Sequence, residues 1–312
     1  MTKIELSHIA HSLPVRFYSN DIPECITWSF WLVHTNDWHH LERVIFDHAI
    51  IDIHVHRFRH IGDYPLNVLL GYWRLVEKLA SRYRDKFTFT LPDLPFDVRY
   101  FHGVQYPYNV RKTYTYHTMF LKLANEMYRR YGTTCILVVQ HRQSVQDAKR
   151  SCFFVQDLLS YVDEDAVYAI GVGSLCINRS PRQVADYLNV VATRFPRFRI
   201  HGFGVRIDTV RYIRFDLRRY SFDGTGWTRT PNSLAQYLLG QEKRHSAYTQ
   251  HERVIYFLCG LIGLARNVGR LDIVQELVKI LEKVTGKQIP GKLLAKYVSN
   301  NSRSMNITMF LA

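Results

Sequence analysis

Short apolar runs and amphipathic stretches take turns along most of this chain. Phe198 to Val205 is an apolar run that closes in a glycine-rich turn (Gly202, Gly204); a helix-compatible segment follows from Asp208, and a second run, Tyr220 to Phe222, ends at Asp223. The same rhythm holds upstream. Ala49–Val55 reads as a buried strand. Between Pro65 and Arg84 the apolar positions Leu66, Leu69, Leu70, Trp73, Val76, Leu79 and Ala80 repeat with a helical period. Phe87–Leu91 is a strand, and a long helix around Arg111–Tyr131 meets a natural C-terminal cap in Gly132. Cys135–Val139 is a strand ending at Gln140, Val145–Val162 a helix, and Val167–Val172 a strand ending in a Gly-Val-Gly turn. Ser180-Pro181 then opens a helix with an N-cap serine and a proline at its first position.

Residues 1–48 are mixed, with strand candidates at Val15–Ser19 and Ile26–His34 and a helix-like WHHLERVIF. Counting these, the alternation predicts an α/β fold, a (β/α)8 TIM-like barrel with a C-terminal helical appendage. The barrel is expected over 1–231. Residues 232–312 change to helices only, at Tyr248–Asn267, Leu271–Val284 and near Lys292–Val298, and are expected to pack on the barrel.

Composition narrows the class. Hydrophobic residues make up 47% of 312, enough for a large core, and no run of about 18 apolar residues suggests a spanning helix. The N-terminus lacks the apolar core of a secretory signal, so a soluble, cytoplasmic protein with no membrane partner is expected. Cys25, Cys135, Cys152, Cys176 and Cys259 are far apart, which predicts buried free thiols and neither a zinc ribbon nor a disulfide framework. The formal charge of +14, with Arg and Tyr interleaved in YRRYG, VRKTYTYH and RYIRFDLRRY, points to nucleic acid as a partner. A solvated basic surface is the plainer alternative. A homodimer is left open.

A parallel barrel gathers its strand ends on one rim. The polar residues there are Asp52, Asp93 with Asp97, Gln140, Gly171 and Gly173, His201 with Gly202 and Gly204, and Asp223. Carboxylates, an amide and backbone at glycine turns suit the edge of a purine-like base. Paired carboxylates also suit attack at a sugar C1′, one forming a glycosyl ester while the other moves protons.

In these motifs the chain resembles the tRNA-guanine transglycosylase family and its relatives that insert 7-deazaguanines into DNA. Phe222-Asp223 to Thr228-Arg229 matches the family's FD-x4-TR nucleophile motif, LVVQ at 137–140 its glutamine strand, AIGVGSL at 169–175 its glycine-rich turn, and HGFGV at 201–205 the strand before the nucleophile. The resemblance covers roughly residues 45–230. It implies Asp223 as nucleophile and Asp52 as general acid/base. It implies substrate contacts from Asp93, Gln140, Gly171, Gly173, His201, Gly202 and Arg229. The implied partners are DNA or tRNA and a 7-deazaguanine base. Two features depart from the family. Ile53-His54-Val55-His56 stands where Ser-Gly-Gly usually follows the first aspartate, and the zinc-binding cysteine cluster after the nucleophile has no counterpart, so no metal or other cofactor is expected.

Two other readings compete. An amidohydrolase-like metal hydrolase would use His54, His56, His141, His201 and Asp223 as ligands. A relative that binds nucleic acid without catalysis would also fit the missing Ser-Gly-Gly.

Overall fold

The computed structural model describes residues 3–53, 63–95, 108–141, 144–175, 180–224, 233–240 and 248–293. The chain forms two compact units, 1–225 and 226–312.

The first unit opens with β1 (Ile4–Glu5), which pairs in parallel with β3 (Ile26–Thr27) in a small ribbon around helix α1 (Ser7–Ser12). The barrel strands are β2 (Arg16–Tyr18), β4 (Phe30–His34), β5 (His48–Asp52), β6 (Phe87–Thr90), β7 (Thr134–Val139), β8 (Val167–Val172), β9 (Arg199–Gly202) and β10 (Tyr220–Asp223). Each pairs in parallel with its neighbour in chain order, from β4 through β10, and β10 pairs back onto β2. Across the remaining seam lies a bridge between Ser19 and Trp31, where the Leu32 N–H donates to the Ser19 carbonyl at 3.1 Å. The sheet is therefore a nearly closed TIM-like barrel.

Helices α2 (Leu66–Tyr83), α3 (Tyr108–Tyr131), α4 (Val145–Leu159) and α5 (Pro181–Arg194) connect consecutive strands. Local chemistry fixes their ends. The Ser144 hydroxyl accepts from the Asp147 N–H at 3.1 Å, and Ser180 and Gln183 form a reciprocal capping box with Pro181 at the first turn. WHHLERVIF makes only a short 3₁₀ segment, Trp38–Glu42, because Leu41 is the one side chain it buries. The expected strand Ile26–His34 divides in two at Trp28–Ser29, where the Trp28 indole donates to the Phe17 carbonyl at 3.0 Å. Between β9 and β10 the connection is two 3₁₀ segments, Ile207–Tyr212 and Leu217–Arg219.

The lumen is unusually polar in its lower half. Tyr18 Oη lies 2.8 Å from both His48 Nδ1 and Tyr168 Oη, Arg16 donates to Tyr168 at 2.9 Å, and Thr88 Oγ1 bridges His48 Nε2 at 3.0 Å and Thr134 Oγ1 at 2.7 Å. Side chains from five strands can meet like this only inside the barrel. The β7–β8 register slips at Cys135/Ile136, leaving Tyr168 as the extra residue that joins this network. Burial, with Arg16 and Arg199 nearby, lowers His48 to about 3, so its ring is neutral.

The second unit contains α6 (Ser233–Leu239), α7 (Gln250–Asn267) and α8 (Leu271–Thr285). Thr249 and Glu252 box the start of α7, and α8 buries Ile273, Val274, Leu277, Val278 and Leu281 as one stripe. The helix expected near Lys292–Val298 lies mostly outside the described residues. Among those described, no helix is long and apolar enough to cross a membrane. Cys135, Cys152 and Cys259 are buried free thiols and Cys25 is half-buried, while Cys176 lies outside the described residues.

Candidate active site

The rim at the strand C-termini has two corners. Asp223 forms the first. Ser221 and Asp223 lie on the same face of β10, and β9 brings His201 beside them; the register pairs Ser221 with His201. His201 Nδ1 is 2.9 Å from Ser221 Oγ, and His201 Nε2 is 3.5 Å from Asp223 Oδ2, an ion-pair distance without hydrogen-bond alignment. The Ser221 hydroxyl can donate to Nδ1 or accept from it, so this contact suits either ring tautomer. The Gly204 N–H donates to Asp223 Oδ1, and the Val205 N–H donates to the Asp223 carbonyl at 2.9 Å. Gly204 has φ +68°, a conformation that glycine adopts without steric cost, and it turns its N–H onto the carboxylate. The side chain of Asp223 is 7% exposed. The result is a carboxylate with a fixed aim.

Asp93, Gln140 and Ser174 form the second corner. The Gln140 amide donates from Nε2 to Asp93 Oδ2, and its Oε1 accepts from the Ser174 hydroxyl at 2.7 Å. Tyr64 donates its hydroxyl to the Asp93 carbonyl at 2.8 Å, and Tyr72 donates to the Thr90 carbonyl at 2.7 Å. Asp52, half-buried at the end of β5, is close enough to act electrostatically on Asp93. Burial, and then the neighbouring Asp52, push the Asp93 carboxyl well above the usual carboxylate range, against the pull of the Gln140 hydrogen bond. Burial also raises the Tyr64 and Tyr72 phenols, which stay protonated.

The glycines expected to present backbone to a base are closely packed. A Cβ on Gly173 would fall within 2.3 Å of Gln140 Nε2, and the Gly173 N–H already donates to the Val139 carbonyl at 3.1 Å. Gly171 is opposite His201 in the ladder, and a Cβ there would meet Phe203 at 2.7 Å and Ile136 at 2.9 Å. Gly202 lies against Val205, Phe222 and Leu188 of α5. Their shared contribution is close packing. His201, expected among the substrate contacts, has 0% exposure, and its described neighbours are Asp223, Ser221, Tyr18 and Phe203. Gln140, at 1% exposure, has both ends of its amide engaged.

His141, one ligand of the hydrolase reading, is one residue past Gln140 and stacks on Tyr187 of α5 with ring centroids 4.1 Å apart, whereas His201 packs against Tyr18 and Phe203. Among the described residues no three His, Cys, Asp or Glu side chains converge as a metal-binding group. His54, His56, Asp97 and Arg229 lie outside the described residues.

Three site residues were not singled out by the sequence: Ser174, Ser221 and Tyr64. For Ser174 and Ser221 the signal was present, because Ser174 lies within, and Ser221 next to, a motif already marked. No family model matches the chain, and no curated protein matches it.

Proposed function

We propose that this protein is a transglycosylase that exchanges a guanine in a polynucleotide, DNA or tRNA, for a 7-deazaguanine. The observation that carries this reading is the division of labour among the rim carboxylates. Asp223 is held by a backbone N–H with a histidine beside it, while Asp93 is buried next to half-buried Asp52 with its carboxyl pushed well above the usual carboxylate range. Carboxyls on one rim in such different environments suit different roles in a displacement.

Asp223 attacks C1′ of the target nucleotide, and the glycosidic C–N bond breaks. Asp52 delivers a proton to the departing guanine, leaving a glycosyl ester on Asp223 Oδ. The incoming 7-deazaguanine gives a proton to Asp52 and attacks C1′ through its ring nitrogen, and the ester bond breaks to restore the carboxylate. Two inversions preserve the anomeric configuration. Asp93 reads the base edge, with Gln140 holding it. No metal is required for these steps. The target nucleotide is expected to be extruded or single-stranded, since C1′ is shielded in a duplex.

The test is incubation with polynucleotide carrying labelled guanine, together with a 7-deazaguanine. Label released without strand cleavage supports exchange. Binding without release favours the non-catalytic relative, and metal-dependent hydrolysis of another substrate favours the hydrolase.

A further inference from the structure

We infer that Ser174 is a positioning residue for Asp93, acting through the Gln140 amide. A glutamine amide has two nearly isosteric orientations, and only its partners choose between them. Here both ends of the amide are engaged. The Ser174 hydroxyl, 3% exposed, donates to Gln140 Oε1 at 2.7 Å and so polarises the amide, whose Nε2 faces Asp93 Oδ2 and donates to it. In the opposite orientation Oε1 would face the Asp93 carboxyl and Nε2 would face the hydroxyl.

Two further observations converge on the same chain of contacts. Ser174 has φ +57°, the left-handed region that a serine enters at an energetic cost, while Gly173 beside it is free of that conformation. A glycine at 174 would relieve the backbone and lose the hydroxyl. Gly173 lacks the Cβ that would collide with Gln140 Nε2 at 2.3 Å, so the amide lies directly over its backbone. The turn after β8 therefore supplies a bare backbone position for the amide and, one residue later, a hydroxyl that orients it.

The consequence is specific. With Nε2 toward Asp93, the amide favours ionisation of that acid; turned over, its oxygen would favour the protonated form. Ser174 thus sets the protonation balance and hydrogen-bond polarity of Asp93 without touching a ligand. Its importance for base selection rests on the proposed transglycosylase reading; its effect on Asp93 does not.

The experiment uses the full-length protein without ligand, titrating the Asp93 carboxyl by 13C NMR in wild type and in Ser174→Gly, which removes the hydroxyl and eases the backbone. The expected result is an upward shift of the Asp93 titration with thermal stability kept. Ser174→Ala, which keeps the Cβ, should shift it likewise. In a Gln140→Met background, Ser174→Gly should add nothing, because the coupling runs through the amide. An unchanged Asp93 titration in Ser174→Gly, or an equal shift in the Gln140→Met background, overturns the inference. Calorimetric titration with a 7-deazaguanine base then separates the two layers. Weaker binding by about tenfold in Ser174→Gly extends the role to base selection. If wild type binds no base while the carboxyl shift persists, the transglycosylase reading fails and the positioning role stands.

Discussion

Asp223 Oδ2 stands 3.5 Å from His201 Nε2, with both side chains almost sealed from solvent. Ser221 holds the far side of the same ring at 2.9 Å, so serine, histidine and aspartate form one line across β9 and β10. A histidine in this place packs beside the carboxylate and turns a ring nitrogen toward it.

His201→Leu keeps most of the bulk and removes both nitrogens. Asp223 would then be aimed by the Gly204 N–H without the ring. Loss of one buried polar partner costs about 1–3 kcal/mol, so the rate of adduct formation should fall roughly tenfold to hundredfold, with polynucleotide affinity unchanged. Single-turnover kinetics measure it. A rate within about twofold of wild type would show that Gly204 alone aims the nucleophile.

The barrel was legible because its signal is periodic: β8 runs over Val167–Val172, as its apolar pattern predicts, and Ser180-Pro181 caps α5. The first strands were harder to read, since Arg16–Tyr18 is only three residues long and carries a lumen-facing arginine and tyrosine where an apolar pattern was sought. At the site, a strand-end position could be read for Asp52, Asp93, Gln140 and Asp223. Which groups face each other could not. The inward role of Ser174 depends on a left-handed backbone, and the burial of His201 depends on the register of β9 against β10. Neither has a sequence period.

Asp93 should make stability depend on pH in a definite direction. Its folded-state pKa is raised by burial and by Asp52. Its contribution is therefore fully present below the unfolded value of 3.8 and is lost as pH rises toward the folded value. Asp93→Asn, neutral throughout, should gain in Tm relative to wild type as pH rises from about 4 to 7. Parallel Tm curves for the two proteins would mean that Asp93 ionises freely in the fold.

His117 should act in the opposite direction. It is fully buried on α3, neither ring nitrogen has a hydrogen-bond partner among the described residues, and burial lowers it from 6.5 to about 3. The neutral ring contributes its full stability above pH 6.5 and loses it progressively as pH falls toward about 3, because only the unfolded chain takes up the proton there. His117→Leu removes the two unpartnered nitrogens and this dependence. Its Tm should exceed that of wild type by more at pH 5 than at pH 8. Equal differences at the two pH values would count against a buried neutral histidine.

The charge of +14 should govern association with a polynucleotide. Each phosphate neutralised releases counterions, so log K should fall against log salt with a slope of about −0.7 to −0.9 per contact. Fluorescence anisotropy over a salt series measures the slope. A flat profile would remove the electrostatic basis for a nucleic-acid partner.

The proposed chemistry stands or falls on Asp223. Asp223→Asn is nearly isosteric, and its Oδ1 can still accept from the Gly204 N–H, so the turn after β9 is kept. Its amide nitrogen can donate to His201 Nε2 when the ring carries its proton on Nδ1 and Ser221 accepts it. The variant should therefore fold, with a Tm within a few degrees of wild type, and bind polynucleotide with the same salt slope. What it lacks is the anionic oxygen that bonds to C1′. Wild type held with a slowly reacting incoming base should give a protein–polynucleotide band that survives denaturation, and mass spectrometry should place the added glycosyl group on Asp223. Asp223→Asn should give no band, and its exchange rate should drop by at least about a thousandfold, the scale on which a nucleophile's removal is felt. Persistence of the band in Asp223→Asn, or exchange at the wild-type rate, would assign the nucleophile to another residue.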